Sequence, residues 1–386
     1  MRCWEILEEI FIAKSFANGA IEPKVSSMSL QSSVSLSPLE KNKSRGPMKI
    51  HKHSRHLSDE PQGLTDVPYP SVNVSEPRDL LLRCPDAGQT PLHILEGLGT
   101  AGQVFVKDER TRMGLGSFKA LSAAYVIAHA AQSSDVSNMT YVTASAGNHG
   151  LSVAAGAQIF GAKAVIYLSH TVPESFAKKL CDHSAEVVRA GDNYEASMEA
   201  AQKAATEKGW ILLSDSSWDG YVDIPHRLME GYLVMAAEAV AQVPQPPTHI
   251  FLQAGVGGLA AAAAAYFRHA WGSEPIIIVV EPEIAPAIFN SIIADKATNT
   301  PGPVSNMGRL DCKEPSLIAL KGLARDADMF ALISDQAAED AMPILSNNGL
   351  ETTPSGGAGL AALLSGFPDI NQNSRVLCIV SEESDT

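Results

Sequence analysis

Three short segments hold most of the residues that could do chemistry, and each is a glycine-containing turn. The first is Gly114-Leu115-Gly116-Ser117-Phe118-Lys119. Serine is a good helix cap, so Ser117 predicts a helix start with Lys119 in its first turn. That is the positive end of the helix dipole, a poor place for a cation. A neutral amine there is a nucleophile toward an aldehyde cofactor; a charged one is an ordinary solvated lysine, and the segment alone admits both. The second is Ser145-Ala146-Gly147-Asn148-His149-Gly150. Unbonded N–H groups at such a helix start bind carboxylates, and Asn148 adds an amide; a plain capped turn has the same composition. The third is Gly255-Val256-Gly257-Gly258-Leu259-Ala260, where glycines let the backbone wrap a phosphate at a helix N-terminus. It also satisfies G-x-G-x-x-A, and Glu281 ends the next strand about twenty residues on. A dinucleotide-dependent oxidoreductase therefore stays open, although that fingerprint normally opens its domain and here several α/β units precede it.

The elements that must position these turns alternate in type. Gln103–Lys107, Thr140–Ala144, Ala164–Leu168, Glu186–Ala190, Ile211–Leu213, His249–Gln253, Pro275–Val280 and Arg375–Val380 read as short apolar strands. Phe118–Ala131, His149–Phe160, Glu174–Cys181, Tyr194–Lys208, His226–Val243 and Leu259–His269 read as amphipathic or alanine-rich helices. This alternation predicts an α/β fold with largely parallel sheets, and all three turns join a strand to a helix, where open α/β sheets bind ligands. The 386 residues, 45% of them hydrophobic, suffice for two such sheets. Residues 1–70 read differently: serine dominates from Ser26 to Ser37, then lysine, arginine, histidine and proline follow, so a disordered extension is expected.

A net charge of −14 disfavours nucleic acid and anionic membranes as partners. No run of about 18 apolar residues predicts a membrane span. Five isolated cysteines without a C-x-x-C pair predict neither a disulfide framework nor a metal site. Glu8 and Glu9 sit inside the only apolar run near the N-terminus, which argues against a targeting presequence and for a cytoplasmic protein.

Taken in order, Ser-Phe-Lys, then Ser-Ala-Gly-Asn-His-Gly, then a glycine-rich phosphate loop, the chain resembles the fold-type II pyridoxal-phosphate (PLP) enzymes. These include serine/threonine dehydratases, threonine synthase and the tryptophan synthase β-chain. The resemblance is nearest to the diaminopropionate ammonia-lyases. It extends through Lys107-Asp108-Glu109-Arg110, Asp215-Ser216-Ser217-Trp218-Asp219-Gly220-Tyr221, Met229-Glu230-Gly231-Tyr232, Met307-Gly308-Arg309-Leu310-Asp311-Cys312, Pro354-Ser355-Gly356-Gly357 and the closing Ser381-Glu382-Glu383-Ser384-Asp385-Thr386.

The resemblance implies two parallel-rich αβα sandwich domains with PLP in the cleft between them. The large domain would be residues 71–110 with 226–386, the small one 111–225. Lys119 would carry the cofactor and act as a base, with Asp215 as a second proton-transfer residue. Asn148 would meet the ring hydroxyl, Gly255, Val256, Gly257, Gly258 and Leu259 the phosphate, and Ser381 the ring nitrogen. The substrate would lie on Ser145, Ala146, Gly147, Asn148 and His149, its carboxylate on backbone amides. The lyases carry an aspartate at the position of Ala146, and the Gly-Ser-Phe-Lys loop is nearer the dehydratases. The implied activity is α,β-elimination of ammonia from a small amino acid such as 2,3-diaminopropionate. A dehydratase-like or β-replacement enzyme and a catalytically weak PLP-binding protein are the alternatives. A homodimer without nucleic-acid or membrane partners is expected.

Overall fold

The computed structural model describes residues 48–55, 60–84 and 86–385. Its strands form two sheets. The larger contains β1 (Lys49–Lys52), β2 (Leu92–Glu96), β3 (Gln103–Asp108), β8 (His249–Gln253), β9 (Ile276–Pro282), β10 (Met329–Ile333) and β11 (Arg375–Val380) in the order β1-β10-β9-β8-β11-β3-β2. Its five inner strands are parallel, and β1 and β2 close the edges antiparallel. The smaller sheet contains β4 (Thr140–Ala144), β5 (Lys163–Leu168), β6 (Glu186–Arg189) and β7 (Ile211–Leu212), all parallel, in the order β6-β5-β4-β7.

Helices cover both faces of each sheet, as parallel strands require. Along β11 the side chains alternate: Leu377 and Ile379 enter one apolar layer, and Val376, Cys378 and Val380 the other. The first layer packs against α6 (Asp223–Gln242), α7 (Gly258–Trp271), α8 (Ala287–Ala294) and α9 (Leu317–Asp326); the second packs against α10 (Asp335–Asn347) and α11 (Ala358–Leu364). The smaller sheet is lined on one face by α3 (Asn148–Ile159) and α4 (Glu174–Asp182), and on the other by α5 (Tyr194–Lys208). The first helix among the described residues, α1 (Ser75–Leu81), joins the large layer. Helix α2 (Ala120–Ala131) serves both sheets: Leu121, Ala124 and Tyr125 enter the layer of the large one, Ala123, Val126 and Ile127 that of the small one. The lysine turn is thereby fixed to both halves of the cleft.

Small side chains set how closely these helices approach. Ala260 to Ala265 of α7 are each no more than 2% exposed. A leucine at Ala262 would overpack this layer at a cost of about 1–3 kcal/mol. Beneath α6, a cluster of charges is buried: Lys107 donates to Thr90 O at 2.8 Å, Glu238 at 2.6 Å and Gln242 at 2.9 Å. Arg112 reaches Glu109, Glu238, Thr90 and the Gly88 carbonyl.

Several expectations need correction. Order begins before residue 70: Lys49–Lys52 pairs with β10, and residues 60–70 are tied down by Lys321, whose amine donates to the carbonyls of Leu64, Thr65 and Val67. Composition alone misread this stretch because its anchor lies on α9. The remaining residues of 1–70 lie outside those described. The segment 283–374, read without elements, holds α8, α9, β10, α10 and α11. Helix α2 starts at Ala120, so Lys119 is its N-cap rather than a first-turn residue, and no side chain caps it. Ser117 is instead buried in an antiparallel bridge with Glu382.

Candidate active site

The turns converge at the C-terminal ends of the parallel strands. The lysine loop is stitched to the end of β11: Phe118 N donates to Ser381 O at 3.1 Å, and Glu383 N donates to Gly116 O at 2.9 Å. The Lys119 carbonyl accepts the hydroxyls of Ser122 (2.7 Å) and Ser152 (2.6 Å), tying the start of α2 to α3. The Lys119 amine touches the Asp215 carboxylate and lies 5.2 Å and 5.6 Å from the ring centres of Phe118 and Tyr232.

Asp215 follows β7 on a pinned loop. The Tyr221 hydroxyl donates to Leu212 O at 2.7 Å and accepts Ser214 N at 3.1 Å, while its ring stacks on Trp218 at 4.3 Å. Ser217 is locked to Ser316 at 2.7 Å. The aspartate side chain does not cap the turn; its partner is Lys119.

Burial pulls the lysine ammonium down, but the charges of Asp215 and Tyr232 reverse this and hold it well above the usual lysine value. Burial likewise works against the Asp215 carboxylate, yet the Lys119 ammonium drives it far below the usual range. The pair is thus an ammonium beside a carboxylate, the charged one of the two states that the lysine turn alone admits. Its proton has Asp215 Oδ2 as the adjacent acid acceptor, with the Tyr232 hydroxyl nearby.

At the second turn, Ser145 Oγ accepts Gly147 N at 3.3 Å and Gly150 N at 3.0 Å, and Ser145 N donates to Tyr167 O at 3.3 Å. Two of the four amides expected to bind a substrate carboxylate are therefore engaged. The N–H groups of Asn148 and His149, at the first positions of α3, donate to no described residue. The His149 side chain donates from Nε2 to Leu213 O at 2.8 Å, so Nδ1 is the acceptor nitrogen; burial lowers its basicity, and Nδ1 is buried without a partner. Ala146 is exposed.

The residues meet the demands of a PLP site. The N–H groups of Gly255, Gly257, Gly258 and Leu259 donate to no described residue, that of Val256 lies within hydrogen-bonding reach of Cys312, and all stand at the N-terminus of α7, an arrangement that binds phosphate. Gly257 has φ 97°, and a Cβ there would lie 2.9 Å from Ala319 Cβ; at Gly255 it would lie 3.0 Å from Cys312 Sγ. The loop is a close-fitting backbone cradle. Its floor adjoins the pair, since a Cβ on Gly258 would lie 3.9 Å from Asp215 O. The Ser381 hydroxyl, at the end of β11, bonds to no described residue and suits a ring nitrogen.

The dinucleotide alternative fails at Glu281. That side chain is 1% exposed and accepts the amides of Ile288 (2.8 Å) and Phe289 (2.7 Å) at the start of α8. It is a buried helix anchor that no ribose can reach, and burial pushes its carboxyl up to about 8.

Four further residues border the site without having been singled out in the sequence. Glu382 bonds to Asn148, Arg309 bonds to Glu382, and Cys312 abuts Gly255. Tyr194, opening α5, lies within electrostatic reach of Asp215, Cys312 and Lys119. Three of the four fall inside segments that carried the resemblance, but their partners are distant in sequence.

A lysine seated against a carboxylate beneath a phosphate cradle, between two doubly covered parallel sheets, defines an α/β enzyme built around an aldehyde phosphate. The family model for pyridoxal-phosphate dependent enzymes matches residues 84–382, and the chain belongs to that family. The diaminopropionate ammonia-lyase of Salmonella typhimurium is 32% identical over 293 residues, 68% of this chain and 72% of that one. The L-threonine ammonia-lyase of Thermotoga maritima is 25% identical over 266 residues, 69% of this chain and 63% of that one. The crystal structure of Escherichia coli diaminopropionate ammonia lyase with an aminoacrylate-PLP azomethine reaction intermediate superposes with a TM-score of 0.78 at 28% identity, covering 87% of this chain and 94% of that one.

Proposed function

We propose that this protein is a PLP-dependent ammonia-lyase that removes the β-amino group of a small diamino acid of the 2,3-diaminopropionate type. The observation that carries this reading is the Lys119–Asp215 contact. It provides a carboxylate that already holds an ammonium inside the cleft, close to the free amides of Asn148 and His149.

The bound cofactor supplies an aldehyde and a ring system that spreads the negative charge developing at the substrate Cα. The Gly255–Leu259 amides would hold its phosphate, Asn148 its ring hydroxyl and Ser381 its ring nitrogen. Lys119 must shed its proton to serve as a nucleophile, and Asp215 Oδ2 is placed to take it. Once Lys119 is no longer a cation, the largest influence opposing burial at Asp215 is gone, and its affinity for a proton rises. A protonated Asp215 can then deliver that proton to the departing amine, while Lys119, freed by the substrate, serves as the base at Cα. The amides of Asn148 and His149 orient the substrate carboxylate at the dipole-positive end of α3. The reading includes the two-domain division at residues 111–225 that the resemblance implies, the expected homodimer, and the cytoplasmic setting suggested by Glu8 and Glu9.

The test is a panel of 2,3-diaminopropionate, serine and threonine with pyruvate (or 2-oxobutyrate) and ammonia measured together. Diaminopropionate should react fastest and yield two ammonia molecules per pyruvate. Faster turnover of serine or threonine would overturn the assignment.

A further inference from the structure

Glu382 is a carboxylate where a carboxylate is costly. It is 3% exposed and wedged against Gly356, where a Cβ would lie 2.8 Å from Glu382 Cγ. Three segments hold it. Thr352 Oγ1 donates to its backbone carbonyl at 2.5 Å, Thr353 Oγ1 donates to Oε1, Arg309 Nη1 donates to Oε1 at 3.1 Å, and Asn148 Nδ2 donates to Oε2 at 2.6 Å. Arg309 is braced in turn by Asp385 at 2.5 Å. Buried charge needs such compensation, and three donors converge on this one side chain.

The consequence falls on Asn148. The two ends of its amide differ only in what they can do: nitrogen donates twice, oxygen accepts. An ionised carboxylate only accepts. With Oε2 at 2.6 Å, the nitrogen must face Glu382, because an amide oxygen there would set lone pair against lone pair. One N–H is spent on Glu382, the flip of the amide is settled, and one N–H is left to donate.

We propose that Glu382 is a positioning residue of the cofactor site: gripped by Arg309 and Thr353, its carboxylate sets the Asn148 amide so that the second N–H is presented to the cofactor's ring hydroxyl. This rests on the PLP reading of Asn148 given above. The rival role for Glu382 is purely structural, a salt bridge that fastens the closing segment to Arg309.

A double-mutant cycle separates the two. PLP is titrated into cofactor-free protein, and its dissociation constant and bound absorption maximum are recorded for wild type, Asn148→Ala, Glu382→Ala, Glu382→Gln and the double alanine variant, with thermal midpoints alongside. Asn148→Ala should weaken PLP about ten-fold, the worth of one charge-assisted hydrogen bond. Glu382→Ala should weaken it about three- to ten-fold and shift the absorption in the same direction. Glu382→Gln should restore only part of both, since its one amide oxygen can accept from Asn148 only by turning its NH2 toward the donors Arg309 and Thr353. In the Asn148→Ala background, Glu382→Ala should add nothing. If Glu382→Ala does not fold, Thr353→Val, which removes one anchor, takes its place in the cycle. Equal loosening in both backgrounds, or a lower midpoint with unchanged PLP affinity and spectrum, overturns the proposal. If Asn148→Ala alone changes neither affinity nor spectrum, the reading of Asn148 fails, and the proposal falls with it.

Discussion

Two lysines twelve positions apart, Lys107 and Lys119, are both placed against acids, yet their surroundings differ in kind. Lys107 has no exposure and three partners, Thr90 O, Glu238 and Gln242, while the neighbouring Arg112 is bonded on all sides. Lys119 keeps one hydrogen-bonded acid, Asp215, and otherwise faces aromatic rings. Burial wins at Lys107, whose amine is pulled below its usual value, and the acids win at Lys119. A saturated cluster has nowhere to send a proton and serves as scaffold. A lysine with a single acid partner can hand its proton over and make a new bond.

The contrast can be broken at several points. The largest effect is expected on turnover: Lys119→Ala should lose activity by more than about a thousand-fold with a near-normal thermal midpoint, read by pyruvate release and calorimetry. Asp215→Asn should lose about a hundred-fold or more, concentrated in kcat, and should lower the ordinary affinity of the lysine for its proton. Glu238→Ala should act oppositely, costing about 3–5 kcal/mol in urea unfolding because it leaves Lys107 without its bonded acid and Arg112 with Glu109 alone. Activity per folded molecule should survive.

A smaller effect concerns pH. The folded value of Glu281, about 8, lies above its ordinary 4.5. Its contribution to stability is therefore whole below about 4.5 and is lost as pH rises through 8. The thermal midpoint should fall over that window, and the fall should be shallower in Glu281→Gln. The smallest effect is at the exposed Lys178–Asp182 pair, 2.9 Å apart on α4. Asp182→Ala should change stability by no more than about 0.5 kcal/mol.

The three glycine turns were legible because backbone constraint is written locally: a cradle that excludes a Cβ must spell glycine. The alternation of strands and helices up to Val280 was legible because parallel strands are apolar runs. The segment 283–374 was not, because α8 and α11 are too short to show an amphipathic period, α11 being buried almost throughout and α8 carrying an exposed Ile293 among its apolar residues. Helix α9 hides its inner face behind Lys321, a charge that reads as solvent-facing until its three carbonyl partners are seen. Glu382 was invisible for another reason: its partner Asn148 is 234 residues away. The charge state of Lys119 stayed open because it depends on Asp215, 96 residues downstream.

The most direct test is chemical. Reducing the PLP-loaded protein with borohydride and mapping the peptides by mass spectrometry should place a single pyridoxyl group on Lys119, and none when Lys119 is replaced by alanine. A label on Lys107, Lys313 or Lys321 instead, or no stable label on the native protein, would contradict the account.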